Sequence, residues 1–308
     1  EMTLEKRAAG AGRKSRFRRK EIMAAYLFIA PQIIGLIIFV LVPLLFAVAL
    51  CFCSWDFMSV PKFVGGRNFW NVFVFDGDVF YKTLLNTAIF ILGIVPLTMV
   101  LSLGLALLAN QKLRGLAFYK SAFFMPMVTS TVAIAMVWYW LYAPDMGLIN
   151  YLLGLIGVVG PGWLADPVWA RVAVIIMSAW SKMGYYFLLF LAGLKGISST
   201  YYEAADMDGA SFWQKFKNIT IPMLSPVTFF IFVMLMIDAF NMFDLAYIMT
   251  RGGPMFSTYS LVMYIYNQAF QYFDLGSASV ASIVLVLFAG SVSAVQFLVS
   301  KRWVNYDN

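Results

Sequence analysis

Histidine is absent from this chain of 308 residues, and cysteine occurs only twice. Without histidine, the chain lacks the commonest general base of enzymes and cannot form an HExxH zinc site. Cys51 and Cys53 are two positions apart, a spacing that suits neither a disulfide framework nor a common metal site. We therefore expect free thiols, no catalytic residues and no metal site in this chain.

Charged residues are also scarce, at 12%, whereas hydrophobic residues make up 62% and the mean hydropathy is +0.81. A soluble domain carries about a quarter charged residues. A helix needs about 20 apolar residues to cross a bilayer, and several runs here are that long. The sequence therefore predicts an all-α membrane protein, because in lipid a helix is the only open-ended element that satisfies its own backbone.

Apolar runs predict six transmembrane helices and a multi-pass topology. The first run is too long for a signal peptide, so we expect no cleaved leader. The runs divide the chain into a basic N-terminal segment (1–23), a transmembrane domain (24–303) and a short tail (304–308). The predicted spans are Ala24–Cys53, Thr83–Ala109, Ala117–Tyr142, Val168–Leu194, Pro222–Thr250 and Ser277–Val299.

Basic residues predict the orientation of these spans. Sixteen lie in the segments on one side, eight of them in the first 20 positions, and three lie in the loops opposite. Basic loops stay in the cytoplasm, which places both termini there. The net charge of +7 would suggest nucleic-acid binding in a soluble protein. Here it is a topology signal that also favours contact with lipid headgroups, and we expect no nucleic-acid partner.

A polar segment, Tyr201–Pro222, separates two apolar runs and faces the predicted cytoplasmic side. Residues 198–200 are suitable N-caps, and Glu203 is expected in the favourable first turn of a helix. Gly209 interrupts the pattern and indicates a turn or a close approach of another backbone. Two interpretations are open. The helix lies on the lipid headgroups, or it is offered to a cytoplasmic partner.

The same segment resembles the signature of ABC-importer permeases, which is E-A-A, three residues, G, nine residues, I, one residue, L-P. Glu203-Ala204-Ala205, Gly209, Ile219, Ile221 and Pro222 fit this spacing, and the one departure is Ile221 in place of leucine. The runs AYLFIAPQIIG, LAGLKGISSTYYEAADMDGAS and FDLAYIMTRGGP resemble the sugar-permease branch of that family. The resemblance extends from about Ala24 to Trp303, and the chain is similar to the larger maltose-type permease.

This resemblance implies a type I ABC-importer permease fold with a cytoplasmic coupling helix in the loop 198–222. It further implies a heterodimer with a second permease, two ATP-binding subunits, an extracytoplasmic solute-binding protein, a carbohydrate substrate and a bacterial inner membrane. ATP and Mg²⁺ would be held by the partners, since this chain has no phosphate-loop sequence and is not expected to be an enzyme. The residues that the resemblance assigns to coupling are Glu203, Ala204, Ala205, Asp208, Gly209, Phe212, Trp213 and Pro222.

Ungapped matching to the maltose-type permease assigns a second set of residues to the substrate pathway: Ser181, Lys182, Tyr185, Asp238, Ala239 and Met242. Ionisable residues within spans are functional candidates, and two interpretations are open for Lys182 and Asp238. They pair for structural reasons, or Lys182 holds an acidic substrate such as a uronic-acid oligosaccharide or a sugar phosphate like glycerol phosphate. A neutral oligosaccharide is the default expectation.

Two other classes of protein compete with the importer. An ion-coupled secondary transporter often shows internal repeats, and none is clear between the two halves of this chain. A membrane-embedded enzyme needs a set of catalytic or metal-binding residues, and none is visible here.

Overall fold

A computed structural model describes residues 22–111 and 115–305, which form a bundle of long helices. The predicted basic segment up to residue 21, together with Lys112 and Arg114, lies outside the described residues. Two short antiparallel strands, β1 (Cys53–Ser54) and β2 (Lys62–Phe63), form a hairpin. The helices are α1 (Ile22–Leu50), α2 (Arg67–Trp70), α3 (Gly77–Ala109), α4 (Leu116–Val128), α5 (Thr131–Leu141), α6 (Leu148–Leu155), α7 (Pro167–Gly196), α8 (Ser199–Met207), α9 (Phe212–Phe240), α10 (Asp244–Thr250), α11 (Leu261–Tyr266) and α12 (Leu275–Ser300).

Five helices among the described residues are long and apolar enough to cross a membrane: α1, α3, α7, α9 and α12. The predicted third span, Ala117–Tyr142, corresponds instead to α4 and α5, which meet at an angle of 100°. Pro126 lies in the last turn of α4 and has no N–H for the helix ladder. Thr129 then turns extended, with ψ 146°, and ends α4. The described residues therefore contain five candidate spans, or six if the bent pair counts as one.

The helix at the fifth predicted span, α9, differs most from the prediction. The predicted span was Pro222–Thr250, whereas the helix α9 runs from Phe212 to Phe240, so it starts ten residues earlier and ends ten residues earlier. Ser211 forms a capping box with Gln214 and fixes this start. A π-helical turn over Phe216–Thr220 precedes Pro222, and its wider spacing lets the helix continue through a residue that lacks a donor. The helix ends at Phe240 and resumes as the separate α10.

The core lies where α3, α7 and α9 meet, with buried Ile91, Phe187, Phe190 and Leu235 among its members. Gly184 brings α7 against α4, since a Cβ at this position would overlap the carbonyl oxygen of Phe123. In contrast, α1 is almost entirely exposed, and its end packs against α12. The apolar surface of α1 suits a helix surrounded by lipid.

The last helix defines the two ends of the bundle. At its start, the N–H of Leu275 donates to the carbonyl of Trp55 at 3.2 Å, beside the hairpin. After its end, the N–H of Asn305 donates to Ser225 Oγ at 2.9 Å. Ser225 lies in α9, five residues after Thr220, which contacts α8 through Tyr202. The hairpin and α8 are therefore at opposite ends of the molecule.

Candidate functional site

The polar segment folds as a short helix, α8, followed by a tight turn. The side chain of Ser198 accepts a hydrogen bond from the N–H of Thr200 at 3.4 Å, so the predicted N-cap is confirmed. The prediction for Glu203 was wrong, because Ser199 begins the helix and Glu203 is its fifth residue, beyond the first turn. Glu203 points to the surface as an exposed carboxylate.

Gly209 makes the turn that ends α8. Its φ of +72° lies in the left-handed region that glycine adopts most readily. The N–H of Ala210 donates to the carbonyl of Ala205 at 2.9 Å, and that of Gly209 donates to the carbonyl of Asp206 at 3.1 Å. The first of these bonds is the six-to-one bond of a Schellman ending, which reverses the chain into α9.

Two side-chain contacts tie α8 to the first turns of α9. Lys215 Nζ lies 2.6 Å from Asp206 Oδ1 in an ion pair. The hydroxyls of Tyr202 and Thr220 are 3.0 Å apart and half-buried. An exposed ion pair contributes little alone, but together the two contacts bridge both sides of the turn. We call α8, the turn 208–211 and residues 212–220 the helical clamp.

The tip of the helical clamp carries exposed apolar side chains. Met207 is 89% exposed, Phe212 66% and Trp213 72%. Phe212 stacks on Phe216, with ring centroids 6.3 Å apart, and this stack holds the aromatic group together. Exposed aromatic side chains grouped at one end of a helix are candidates for contact with a partner or with lipid.

The other coupling candidates are distributed as follows. Ala204 and Asp208 are exposed on the helical clamp, and Ala205 is half-buried. Pro222 lies outside the helical clamp, as a half-buried residue within the long helix α9. The residues of the signature therefore extend from the helical clamp into the long helix α9.

The second set of candidates surrounds a cleft of about 180 Å³ between the bend of α4 and α5, helix α7 and the end of α9. Its lining includes five of the six predicted residues, which are Ser181, Lys182, Asp238, Ala239 and Met242. Tyr185 is not among the lining residues. Instead it packs edge-on against Tyr186, with centroids 5.1 Å apart, beside the α3–α7–α9 core.

An ion pair crosses this cleft between α7 and α9. Lys182 Nζ is 3.1 Å from Asp238 Oδ2, and the hydroxyl of Tyr186 donates to the same oxygen at 2.7 Å. The sequence did not single out Tyr186, although it follows Lys182 by four positions and so shares its helix face. Asp244 also lines the cleft. This chain's wall thus holds one cation and two carboxylates.

Replacing Tyr186 with phenylalanine tests the strength of this network. We expect Tyr186→Phe to lower the free energy of unfolding by about 1.5 kcal/mol, the lower end for a hydrogen bond to a charged group. Thermal unfolding in detergent measures the change. Tyr185→Phe is the matched control, because the Tyr185 hydroxyl bonds to no described residue, and it should leave the transition unchanged. Equal changes in unfolding temperature for the two variants would contradict a stabilising hydrogen bond from Tyr186 to Asp238.

Among the residues that the structure describes, no three histidine, cysteine or acidic side chains meet in a group that could hold a metal ion.

Ionisable side chains in a cleft among long apolar helices are typical of membrane transport proteins. Residues 99–305 match the family of binding-protein-dependent transport system inner membrane components. The chain belongs to this family.

Similar proteins extend over nearly the whole chain. A probable ABC transporter permease, YesP of Bacillus subtilis (strain 168), is 37% identical over 304 residues and 97% of both chains. The lactose transport permease LacF of Rhizobium radiobacter is 36% identical over 94% of this chain and 98% of its own. These relatives are permease subunits of ABC transporters.

A solved structure has the same fold. A chain of a bacterial ABC transporter that imports the acidic polysaccharide alginate superimposes with a TM-score of 0.77 and 23% identity, covering 93% of this chain and 98% of that one. The fold is that of a type I ABC-importer permease.

Proposed function

We propose that this chain is one of two permeases that form the pathway for a carbohydrate in an ATP-driven importer of the bacterial inner membrane. Both termini face the cytoplasm, and the bent pair α4–α5 counts as the sixth span. The helical clamp seats on an ATP-binding subunit, and an extracytoplasmic solute-binding protein delivers the solute at the opposite end. ATP and Mg²⁺ belong to the partners, and this chain hydrolyses nothing.

The observation that carries this proposal is the continuity of α9. Its 29 residues run from the helical clamp to Asp238 in the cleft. A helix of this length spans about 43 Å. Because two side-chain contacts tie α8 to the first turns of this helix, a displacement of α8 moves a continuous helix that ends near the ion pair. Closure of the ATP-binding subunits would thereby change the access of the cleft between two global states.

The apolar tip of the helical clamp provides a test of the partner. We expect Trp213→Asp to reduce co-purification of the ATP-binding subunit by about tenfold or more, since aromatic anchors dominate interfaces. Quantitative mass spectrometry of the tagged chain, co-expressed with its importer subunits, measures the loss.

Trp70→Asp is the matched control for this experiment. Trp70 is 65% exposed, close to the 72% of Trp213, but lies at the other end of the bundle. It should retain the ATP-binding subunit. A lipid-surface role for α8 predicts instead that the native chain purifies without that subunit and that both variants behave alike.

The charges of the cleft favour a neutral carbohydrate as the solute. Lys182 is already compensated by Asp238, and Asp244 adds a second negative charge to the lining. The lining therefore carries an excess of negative charge, which repels a carboxylate or phosphate on the substrate. Sugar hydroxyls, in contrast, can donate to the carboxylates and accept from Lys182. Relatives named for lactose and for trehalose and maltose agree with the neutral class, whereas relatives named for sn-glycerol-3-phosphate agree with an anionic solute. A uronic-acid oligosaccharide or glycerol phosphate is the alternative.

Competition experiments separate these substrate classes. We expect neutral disaccharides or oligosaccharides, and not uronic-acid or phosphorylated ones of equal size, to compete for uptake by the reconstituted importer. Stronger competition by the acidic compounds would overturn the neutral assignment. Loss of that competition in Lys182→Met would show that Lys182 binds an anionic substrate.

A further inference from the structure

A second polar pocket, of about 300 Å³, lies at the end of the bundle opposite the helical clamp. We call it the hairpin pocket. It is built by the β1–β2 hairpin, α2 and the two residues before α12. Its polar lining includes Ser54, Asp56, Lys62, Arg67, Asn71 and Asp274.

The walls of the hairpin pocket are fixed by buried contacts. The amide of Asn68, which is 3% exposed, donates to the carbonyls of Cys51 and Cys53 at 2.9 Å each. Gly276 lies against this amide so closely that a Cβ would overlap the Asn68 side chain. The hairpin, α2 and the start of α12 are therefore held in one arrangement, and the pocket exists before any ligand arrives.

The two carboxylates of the hairpin pocket each accept hydrogen bonds from their own segments. Asp56 accepts from the Ser59 hydroxyl at 2.7 Å and from the N–H groups of Ser59 and Met58. These bonds lower the pKa of Asp56 to about 2, the Ser59 hydroxyl contributing most. Asp274 accepts from the N–H and hydroxyl of Ser277 at 3.0 and 2.7 Å. Each carboxylate keeps lone pairs that can accept further hydrogen bonds.

The two cations of the pocket differ from its carboxylates in their hydrogen bonding. Lys62 and Arg67 are exposed and form no ion pair or side-chain hydrogen bond with any residue in 22–111 or 115–305. The pocket thus offers two available cations beside two carboxylates that can accept further donors. Such a set is complementary to a ligand that carries both an anion and hydrogen-bond donors.

The surroundings of the pocket are those of a membrane surface. Met58, Val60 and Phe63 on the hairpin are each at least 79% exposed. The hairpin directly follows α1, whose apolar residues are exposed along nearly its whole length. Apolar side chains around a cationic site are typical of the level where headgroups meet acyl chains.

We propose that the hairpin pocket binds a phospholipid headgroup that combines a phosphate with hydrogen-bond donors, namely ethanolamine or glycerol. Lys62 and Arg67 hold the phosphate, and Arg67 does so with its planar fork. Asp56 and Asp274 accept from the ammonium or hydroxyl groups of the head. A choline head has a phosphate but no donor, and is the disfavoured headgroup. This inference is independent of the transported solute.

Native mass spectrometry of the full complex in detergent tests the proposal. The delipidated complex is titrated with phosphatidylethanolamine, phosphatidylglycerol or phosphatidylcholine, and bound lipid is counted. We expect the first two to bind about tenfold more tightly than the third, and Lys62→Gln/Arg67→Gln to lose about tenfold of that binding. Lys301→Gln/Arg302→Gln removes two exposed cations at the other end of the bundle and is the matched control.

The outcomes distinguish several sources of binding. Equal affinity for the three lipids, or equal loss in both double variants, overturns the proposal. Displacement by inorganic phosphate alone would show a free-anion site and would also overturn it. If Lys62→Gln/Arg67→Gln lowers the affinity of the solute-binding protein while lipid binding is unchanged, the pocket is a protein-docking site instead. Thermal unfolding of each variant verifies that it is folded.

Discussion

Gly209→Val is expected to reduce solute uptake by the importer by about tenfold or more while the chain still inserts and assembles. Valine has a Cβ that the left-handed conformation of residue 209, with φ +72°, does not accommodate. The cost is about 1–2 kcal/mol for an ordinary residue and larger for a β-branched one. The turn must open to relieve it, which breaks the contacts between α8 and α9. Uptake into proteoliposomes, normalised to assembled complex, measures the effect.

Gly196→Val is the control for that experiment. Gly196 lies at the end of α7, where a Cβ would meet no described atom within 4 Å and the φ angle is outside the left-handed region. Uptake should stay within about twofold of the native value, as is usual for a surface substitution. If the two variants are equally active, the turn at Gly209 does not position the helical clamp.

Asp238→Ala is expected to have the second large effect. It leaves the ammonium of Lys182 and the hydroxyl of Tyr186 without their shared acceptor. Removing one partner of an ion pair costs about 3–5 kcal/mol when the pair is fully buried. Here the side chains are 27% and 39% exposed, so solvent reduces that cost to about 1–2 kcal/mol. We expect a lower unfolding temperature and uptake reduced by more than about tenfold.

The double variant Lys182→Met/Asp238→Ala separates the two roles of the pair. It removes the uncompensated charge, so the unfolding temperature should return towards the native value. Uptake should stay low, because the acceptor for the solute hydroxyls is still missing. Recovery of both properties would show that the pair is structural, and native-like uptake by Asp238→Ala alone would exclude Asp238 from the pathway.

The sequence predicted the helical clamp well, because the features that form it are local. An N-cap serine, a glycine at a left-handed position and a helical spacing of apolar residues act within a few positions of each other. The sequence did not show that α9 starts at Phe212, well before Pro222. Pro222 is a common first-turn residue, and the π-helical turn that lets the helix pass through it has no simple sequence pattern.

The cleft and the hairpin pocket depend on contacts between residues far apart in the sequence. Local sequence patterns therefore do not show which side chains meet in them. Matching to a relative selected Tyr185, whereas the structure turns Tyr186 towards Asp238, 52 positions away. Likewise, Asn68 and Gly276 meet only because the end of α1 packs against the start of α12. The assignment of α8 to the cytoplasm stays a prediction, since it follows from the distribution of basic residues alone.

The dependence of solute uptake on ATP decides whether this chain works in an ATP-driven importer. The importer would be reconstituted in proteoliposomes with its second permease and ATP-binding subunits, with ATP enclosed and sugar-loaded binding protein outside. We expect uptake only when both are present, and none with a non-hydrolysable ATP analogue. Sugar uptake that follows an imposed ion gradient, without ATP or binding protein, would contradict the account and identify an ion-coupled transporter.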